Sequence, residues 1–276
     1  MMLDNLRLYL AYIGVSMRSQ MQYRSSFVML TVGHFMMTGI EFFGVWVLFD
    51  RFGSLRGWTL PEVALFYGLI NIAFANADAT SRGFDMFHTM VKGGDFDRLL
   101  LRPRSTVLQL AGYEFTLRRI GRLSQGLLVL GWASATLEID WTIARLGLVV
   151  FTIIGGACLF YGLTVLQATI AFWTTETLEI VSAVTYGGVA TAQYPLVIYT
   201  EWFRRLFTYI IPLACVSYYP AIAILGREDT LGSTPLFQWL SPAIGIAFLF
   251  VSLGFWRFGI RHYASTGSRL HTSGFP

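Results

Sequence analysis

Arg82-Gly83-Phe84-Asp85 and, a few residues on, Lys92-Gly93-Gly94-Asp95-Phe96-Asp97-Arg98-Leu99-Leu100-Leu101-Arg102-Pro103 form a basic, glycine-bearing hinge between two apolar stretches. Backbone in lipid must satisfy its own hydrogen bonds, which favours unbroken helix. Charges, glycines and a proline at this density oppose that, so segment 81–104 belongs in water at one face of a membrane. It is too short for a free domain, and Phe84, Phe87 and Leu99 to Leu101 are too apolar for a freely solvated loop. Apolar side chains held beside charges outside the lipid are expected at a protein interface. The hinge therefore reads as a half-buried cytoplasmic element between two membrane helices, suited to receive force from a soluble partner.

Composition agrees. Of 276 residues 55% are hydrophobic and 13% charged, far fewer charges than the quarter or so of a soluble domain. Lys92 is the one lysine, and the other basic residues are arginines that flank apolar runs. That distribution, with a net charge of +4, indicates membrane orientation and argues against nucleic-acid binding. Cys158 and Cys215 both sit in apolar segments and offer no disulfide framework or metal spacing. Residues 1–24 carry Asp4, Arg7, Arg18 and Arg24 and lack the apolar core of a cleavable signal peptide.

A membrane span needs about 20 apolar residues. Six segments qualify: 25–49, 60–79, 120–137, 143–173, 178–198 and 236–257. Residues 105–137 read as one long helix whose first half lies at the interface or faces a wet cavity, with Arg118, Arg119 and Arg122 either paired with Glu114 or touching anionic lipid headgroups. Segment 199–235 is interrupted by Pro212 and Pro220 and opens on the amphipathic Glu201-Trp202-Phe203-Arg204-Arg205. It is expected to form external interfacial or re-entrant short helices. Residues 1–24 place Leu6, Leu10, Ile13 and Met17 on one helical face, as an elbow helix along the inner leaflet would. Trp58, Trp141, Trp202 and Trp239, near span ends, read as interface anchors.

Six spans leave both termini on one side. That side holds Arg7, Arg18, Arg24, Arg82, Lys92, Arg98, Arg102, Arg104, Arg257, Arg261 and Arg269; the other holds Arg51, Arg56, Arg204, Arg205 and Arg227. The basic excess puts both termini, the hinge and the tail 258–276 in the cytoplasm. The expected fold is thus an all-α integral membrane protein, a single transmembrane domain over 1–276.

Catalytic and metal-binding patterns are missing from the sequence: it holds no nucleophile elbow, zinc helix or phosphate loop. Gly93-Gly94 is followed by Asp95, which would repel a phosphate, so any ATP is bound by another chain. His34 and Glu41, seven residues apart, share one face of the first span. They either line a pathway or bond across a helix contact within the bundle; Asn71, Asn76 and Asp78 pose the same choice, and Asp78 is close enough to the cytoplasmic end of its span to be simply solvated. Glu176 and Glu179 fit the positive end of the fifth span, or a partner.

Gly94 to Pro103, followed by Arg118-Arg119-Ile120-Gly121-Arg122, resembles the membrane subunits of type-2 ABC transporters, and more narrowly a bacterial branch of their permeases. Phe49-Asp50-Arg51-Phe52-Gly53-Ser54-Leu55-Arg56-Gly57-Trp58 and the tail Trp256 to Ser268 carry the same likeness. The resemblance implies an elbow helix, six membrane helices, a cytoplasmic coupling helix between the second and third, and re-entrant helices before the sixth. It implies a second permease, identical or related, and two copies of an ATPase subunit that hold ATP and magnesium, in the bacterial inner membrane. Coupling would fall on Phe84, Asp85, Phe87, Gly94, Asp95, Phe96, Asp97, Arg98, Leu99, Leu100 and Arg102. The pathway would draw on His34, Glu41, Asn71 and Asn76, and transport would run outward. The competing expectations are a secondary transporter or channel that relays ions through His34, Glu41 and Asp78, and an intramembrane enzyme.

Overall fold

The computed structural model of the chain describes residues 2–174 and 178–263. Glu176, the side chain of Glu179 and the tail beyond residue 263, with Arg269, lie outside the described residues. Helix α1 (Met2–Met21) leads into α2 (Arg24–Phe52), and a tight loop into α3 (Leu60–Thr80). The hinge forms three short helices, α4 (Arg82–Asp85), α5 (Phe87–Gly93) and α6 (Asp95–Leu100). Then come α7 (Thr106–Ala111), a 3-10 turn at Leu117–Arg119, α8 (Ile120–Thr136), α9 (Ile143–Ile170) and α10 (Leu178–Ala192). The last third holds α11 (Glu201–Arg205), α12 (Leu213–Val216), α13 (Tyr218–Leu225), α14 (Pro235–Leu240) and α15 (Pro242–His262).

Among the described residues four helices are long and apolar enough to cross a membrane, namely α2, α3, α9 and α15. A fifth crossing exists if Glu201–Ile210 and Leu213–Leu225, bent by 74°, count as one. The bend falls at Pro212, whose ring cannot continue a helix, as the proline pattern anticipates. Helices α8 and α10 occupy two further expected segments but have only 17 and 15 residues. At 1.5 Å per residue the described part of each is shorter than a hydrocarbon core of about 30 Å.

The core is built around α3, which is buried along nearly its whole length. Its N-terminus is fixed by a capping box, where the Thr59 amide donates to Glu62 Oε2 at 2.8 Å, and by Pro61 in the first turn. Helices α8 and α9 pack on α3, and α15 packs lengthwise on α9. The last contact requires small residues. A Cβ at Gly245 would run into the Gly155 carbonyl, and one at Gly155 into that of Pro242. Such close approach is how helices associate where lipid offers no hydrophobic drive. Helix α2 packs on α8 along one side and exposes Met29, Met37, Ile40, Phe43 and other large apolar side chains on the rest.

Two expectations change in detail. Residues 105–137 are not one helix, because the chain breaks between Ala111 and Leu117. The Thr116 amide donates to the Ala79 carbonyl at 3.0 Å, and the Phe115 amide to Ser16 Oγ at 3.0 Å. Those bonds to α3 and α1 replace helical ones. The last span also starts later, at Pro242, because the turn at Ser241 separates it from α14.

Candidate coupling surface and membrane-embedded site

The ends of the long helices sort into two groups. At one end the hinge meets the C-termini of α9 and α15; at the other the loops after α2 and α13 meet. Phe84, Phe87 and Phe96 rise from the hinge into an aromatic cluster with Phe172 after α9 and Trp256 on α15. The Phe87 ring lies 4.8 Å from those of both Phe96 and Trp256 and 5.1 Å from that of Phe172. Edge-to-face contacts of this kind add roughly 0.5–1.5 kcal/mol each beyond burial. Polar bonds close the rim: Trp256 Nε1 donates to Thr106 Oγ1 at 3.2 Å and the Tyr263 hydroxyl to Asp97 Oδ1 at 3.1 Å.

This corrects the expectation that Phe84, Phe87 and Phe96 face a partner: all three are buried by the protein's own helices. They anchor the hinge. The side that remains open carries Lys92, Asp95, Arg98, Leu100, Leu101 and Arg102. Leu101 is 86% exposed and Leu100 41%. Asp85, Gly94, Asp97 and Leu99 are half-buried, with Asp85 bound to Arg82 at 2.6 Å. Gly94 takes a left-handed conformation (φ 72°) that caps α5 and starts α6, so the sharp turn needs a glycine. Gln109 Nε2 donates to the carbonyls of Leu99 and Arg104, which fixes the hinge's exit. A cavity of about 340 Å³ lies between this open side and α1, lined by Tyr12, Asp95, Arg98, Leu99, Arg102 and Tyr113 among others.

Helix α1 is tied to the same end. Ser16 Oγ and Gln20 Nε2 donate to the Phe115 carbonyl, and the Leu117 amide to Gln20 Oε1 at 3.0 Å. The stripe that holds α1 is thus Tyr12, Ser16 and Gln20, while Leu10 and Val15 point outward.

Further into the bundle, Arg119 Nε lies 2.8 Å from Asp78 Oδ2, with the two side chains 17% and 11% exposed. Asp78 is therefore a buried ion-pair partner and not a solvated helix end. Arg122 is 3.9 Å from Glu41 and sits 5.0 Å above the Phe74 ring. Sequence spacing offered Glu114 as a partner for these arginines; the structure gives them Asp78 on α3 and Glu41 on α2. Of the pathway candidates, Glu41 lines a cavity of about 410 Å³ with Arg122, Val45, Tyr186, Val189, Ala190, Gln193 and Tyr194. Asn71 does not reach it: fully buried, its amide donates to the Tyr67 carbonyl at 2.9 Å. Asn76 is exposed, and its amide bonds back to Ile72 at 2.8 Å. His34 is half-buried on α2, within electrostatic reach of Arg118, Arg119 and Arg122.

At the opposite end Arg227 Nη1 meets Glu62 Oε1 at 2.8 Å and covers the Trp58 ring at 4.2 Å. Trp58 is therefore a buried packing residue and not a lipid-facing anchor; Trp202 remains exposed. Cys158 and Cys215 are free thiols.

A multi-pass helical bundle with a charged cavity inside it and a helical hinge at one end is the build of a membrane transport component. The family described as ABC-2 family transporter protein matches residues 35–267, and the chain belongs to it. It is accordingly a transport permease of the ABC-2 type, embedded in a membrane. No curated protein and no solved structure matches it.

Proposed function

We propose that this permease is one half of an ATP-driven exporter and that the open side of its hinge docks a separate ATPase subunit. The observation that carries this reading is the division of labour within α4–α6. One side is locked to α9 and α15 through the aromatic cluster, and the other presents Asp95, Arg98, Leu100, Leu101 and Arg102 to solvent. A push on the open side is transmitted to two long helices because the cluster between them is closely packed. ATP and magnesium belong to the partner, which is present in two copies. A second permease, identical or related, completes the pathway.

Six crossings underlie this reading, with α8 and α10 as the shorter third and fifth. Helix α1 is the elbow: its polar stripe faces the protein and its apolar side the inner leaflet. This end faces the bacterial cytoplasm in this reading, which the basic residues of the hinge and of the end of α15 support through the positive-inside rule.

The test is co-purification. Tagged wild-type chain from native membranes should retain a nucleotide-binding subunit. Leu100→Glu or Arg98→Glu should lower its recovery several-fold while membrane insertion is unchanged. Equal recovery with both variants contradicts docking at this strip.

A further inference from the structure

The cavity between α2 and α10 carries an inference that deepens, and rests on, the permease reading, because it concerns what the pathway accepts. Arg122 projects into it from α8. A guanidinium has five donors in a fixed fork, yet Arg122 makes no hydrogen bond to a described residue. Its nearest carboxylate oxygen, on Glu41, lies 3.9 Å away, beyond the 2.7–2.9 Å or so of a charge-assisted bond. The guanidinium carbon lies 5.0 Å over the ring of Phe74, and Arg122 is one of the residues that line the cavity. Arg119 has a closer counter-ion, with Asp78 Oδ2 2.8 Å from its Nε.

Around this point Arg119 and Arg122 face two carboxylates, Asp78 and Glu41, and His34 lies within electrostatic reach of Arg118, Arg119 and Arg122. Tyr186, Gln193 and Tyr194 add hydroxyl and amide groups to the same cavity, and Val45, Val189 and Ala190 give it apolar wall. Helix α2 packs on α8 and α3, whereas α10 packs on α9, α3 and α12, so the cavity fills the gap between them. On the Glu41 face of α2, Met37, four residues before Glu41, and Leu48, seven after it, are exposed.

We propose that this cavity binds an amphiphile with an anionic head group, the head taking the place of Glu41 on Arg122 and the apolar part lying along α2. Both phosphate and carboxylate heads satisfy the fork of Arg122. Glu41 acts as the resident counter-ion that an incoming anion displaces.

The test uses the tagged chain alone in phosphatidylcholine nanodiscs, with radiolabelled dodecyl phosphate as probe. Saturable binding above that of empty nanodiscs is expected. Arg122→Gln should weaken it at least tenfold, Arg122→Lys should retain part of it, and Glu41→Gln should tighten it several-fold. Dodecyltrimethylammonium should not compete, and inorganic phosphate should compete only at far higher concentration. Unchanged affinity in Arg122→Gln overturns the proposal, as does equal competition by the cationic amphiphile. Equal competition by inorganic phosphate overturns the amphiphile assignment, since the head alone would then suffice. Thermal unfolding of each variant shows whether lost binding is lost fold, and Arg122→Lys keeps the question decidable if Arg122→Gln unfolds. No ATPase enters the assay. A chain that binds dodecyl phosphate but recovers no ATPase refutes the docking reading alone.

Discussion

The ring of Phe87, on the hinge, and that of Trp256, on the last long helix, meet edge-to-face with centroids 4.8 Å apart. Both side chains are fully buried. The two residues come from segments with no local relation in the sequence, and their contact makes the hinge continuous with the transmembrane bundle. Phe87→Ala should therefore lower stability by about 3–5 kcal/mol, the cost of deleting a buried aromatic ring. Thermal unfolding in detergent measures the loss, and Phe87→Leu should be milder. In the assembled transporter, Trp256→Ala should leave ATPase recovery intact while it lowers transport per ATP hydrolysed.

Arg119→Gln should be among the most harmful polar substitutions in the chain. It would leave the Asp78 carboxylate, 11% exposed, without the guanidinium now 2.8 Å away. Breaking a buried pair costs about 3–5 kcal/mol, whereas removing both charges costs far less. The double variant Asp78→Asn with Arg119→Gln should thus melt closer to wild type than Arg119→Gln does. A double variant at least as unstable as the single one contradicts this account.

How far the sequence was legible depends on the range of the interaction. Apolar length marked α2, α3, α9 and α15, and glycine, proline and charge marked the hinge, because each is a property of adjacent residues. Pairings across helices left no such trace. Arg119 and Asp78 are 41 positions apart, and three arginines beside Glu114 suggested a local partner instead. The hinge phenylalanines show the same limit. Apolar residues among charges look alike whether they dock a partner or fill the protein's own core, and Trp256 and Phe172, far along the chain, decide for the core. The break after Ala111 was hidden because Gly112 is tolerated in a helix; the bonds to Ser16 and Gln20 that replace helical ones come from α1.

Arg227 secures the opposite end of the bundle. Its ion pair with Glu62 at 2.8 Å joins the loop after α13 to the first turn of α3. Arg227→Gln should cost about 1–3 kcal/mol, since Glu62 is largely buried. Arg227→Lys should recover only part, because lysine lacks the planar fork that also reaches the Gly57 carbonyl at 3.3 Å and covers Trp58.

Asp229 gives the far-end loop a pH dependence. Burial pushes its carboxyl up, but the Ser233 side chain, the amides of Leu231 and Ser233 and the Tyr218 hydroxyl outweigh burial and hold it below the usual carboxylate range. A depressed folded value means that the carboxylate stabilises the fold above the unfolded value of about 3.9. That contribution is lost as pH falls through the lower folded value. Asp229→Asn should lower the melting temperature at pH 7, and its difference from wild type should shrink below about pH 4. A difference that stays constant between pH 7 and pH 3 contradicts this.

The most direct test of the account is the side of the membrane on which the open strip of the hinge lies. With Cys158 and Cys215 replaced by serine, Leu101→Cys provides one exposed thiol for a membrane-impermeant maleimide. The account predicts no labelling in intact cells, rapid labelling in inverted vesicles, and protection in inverted vesicles when the ATPase subunit is bound. Labelling from outside intact cells would contradict it.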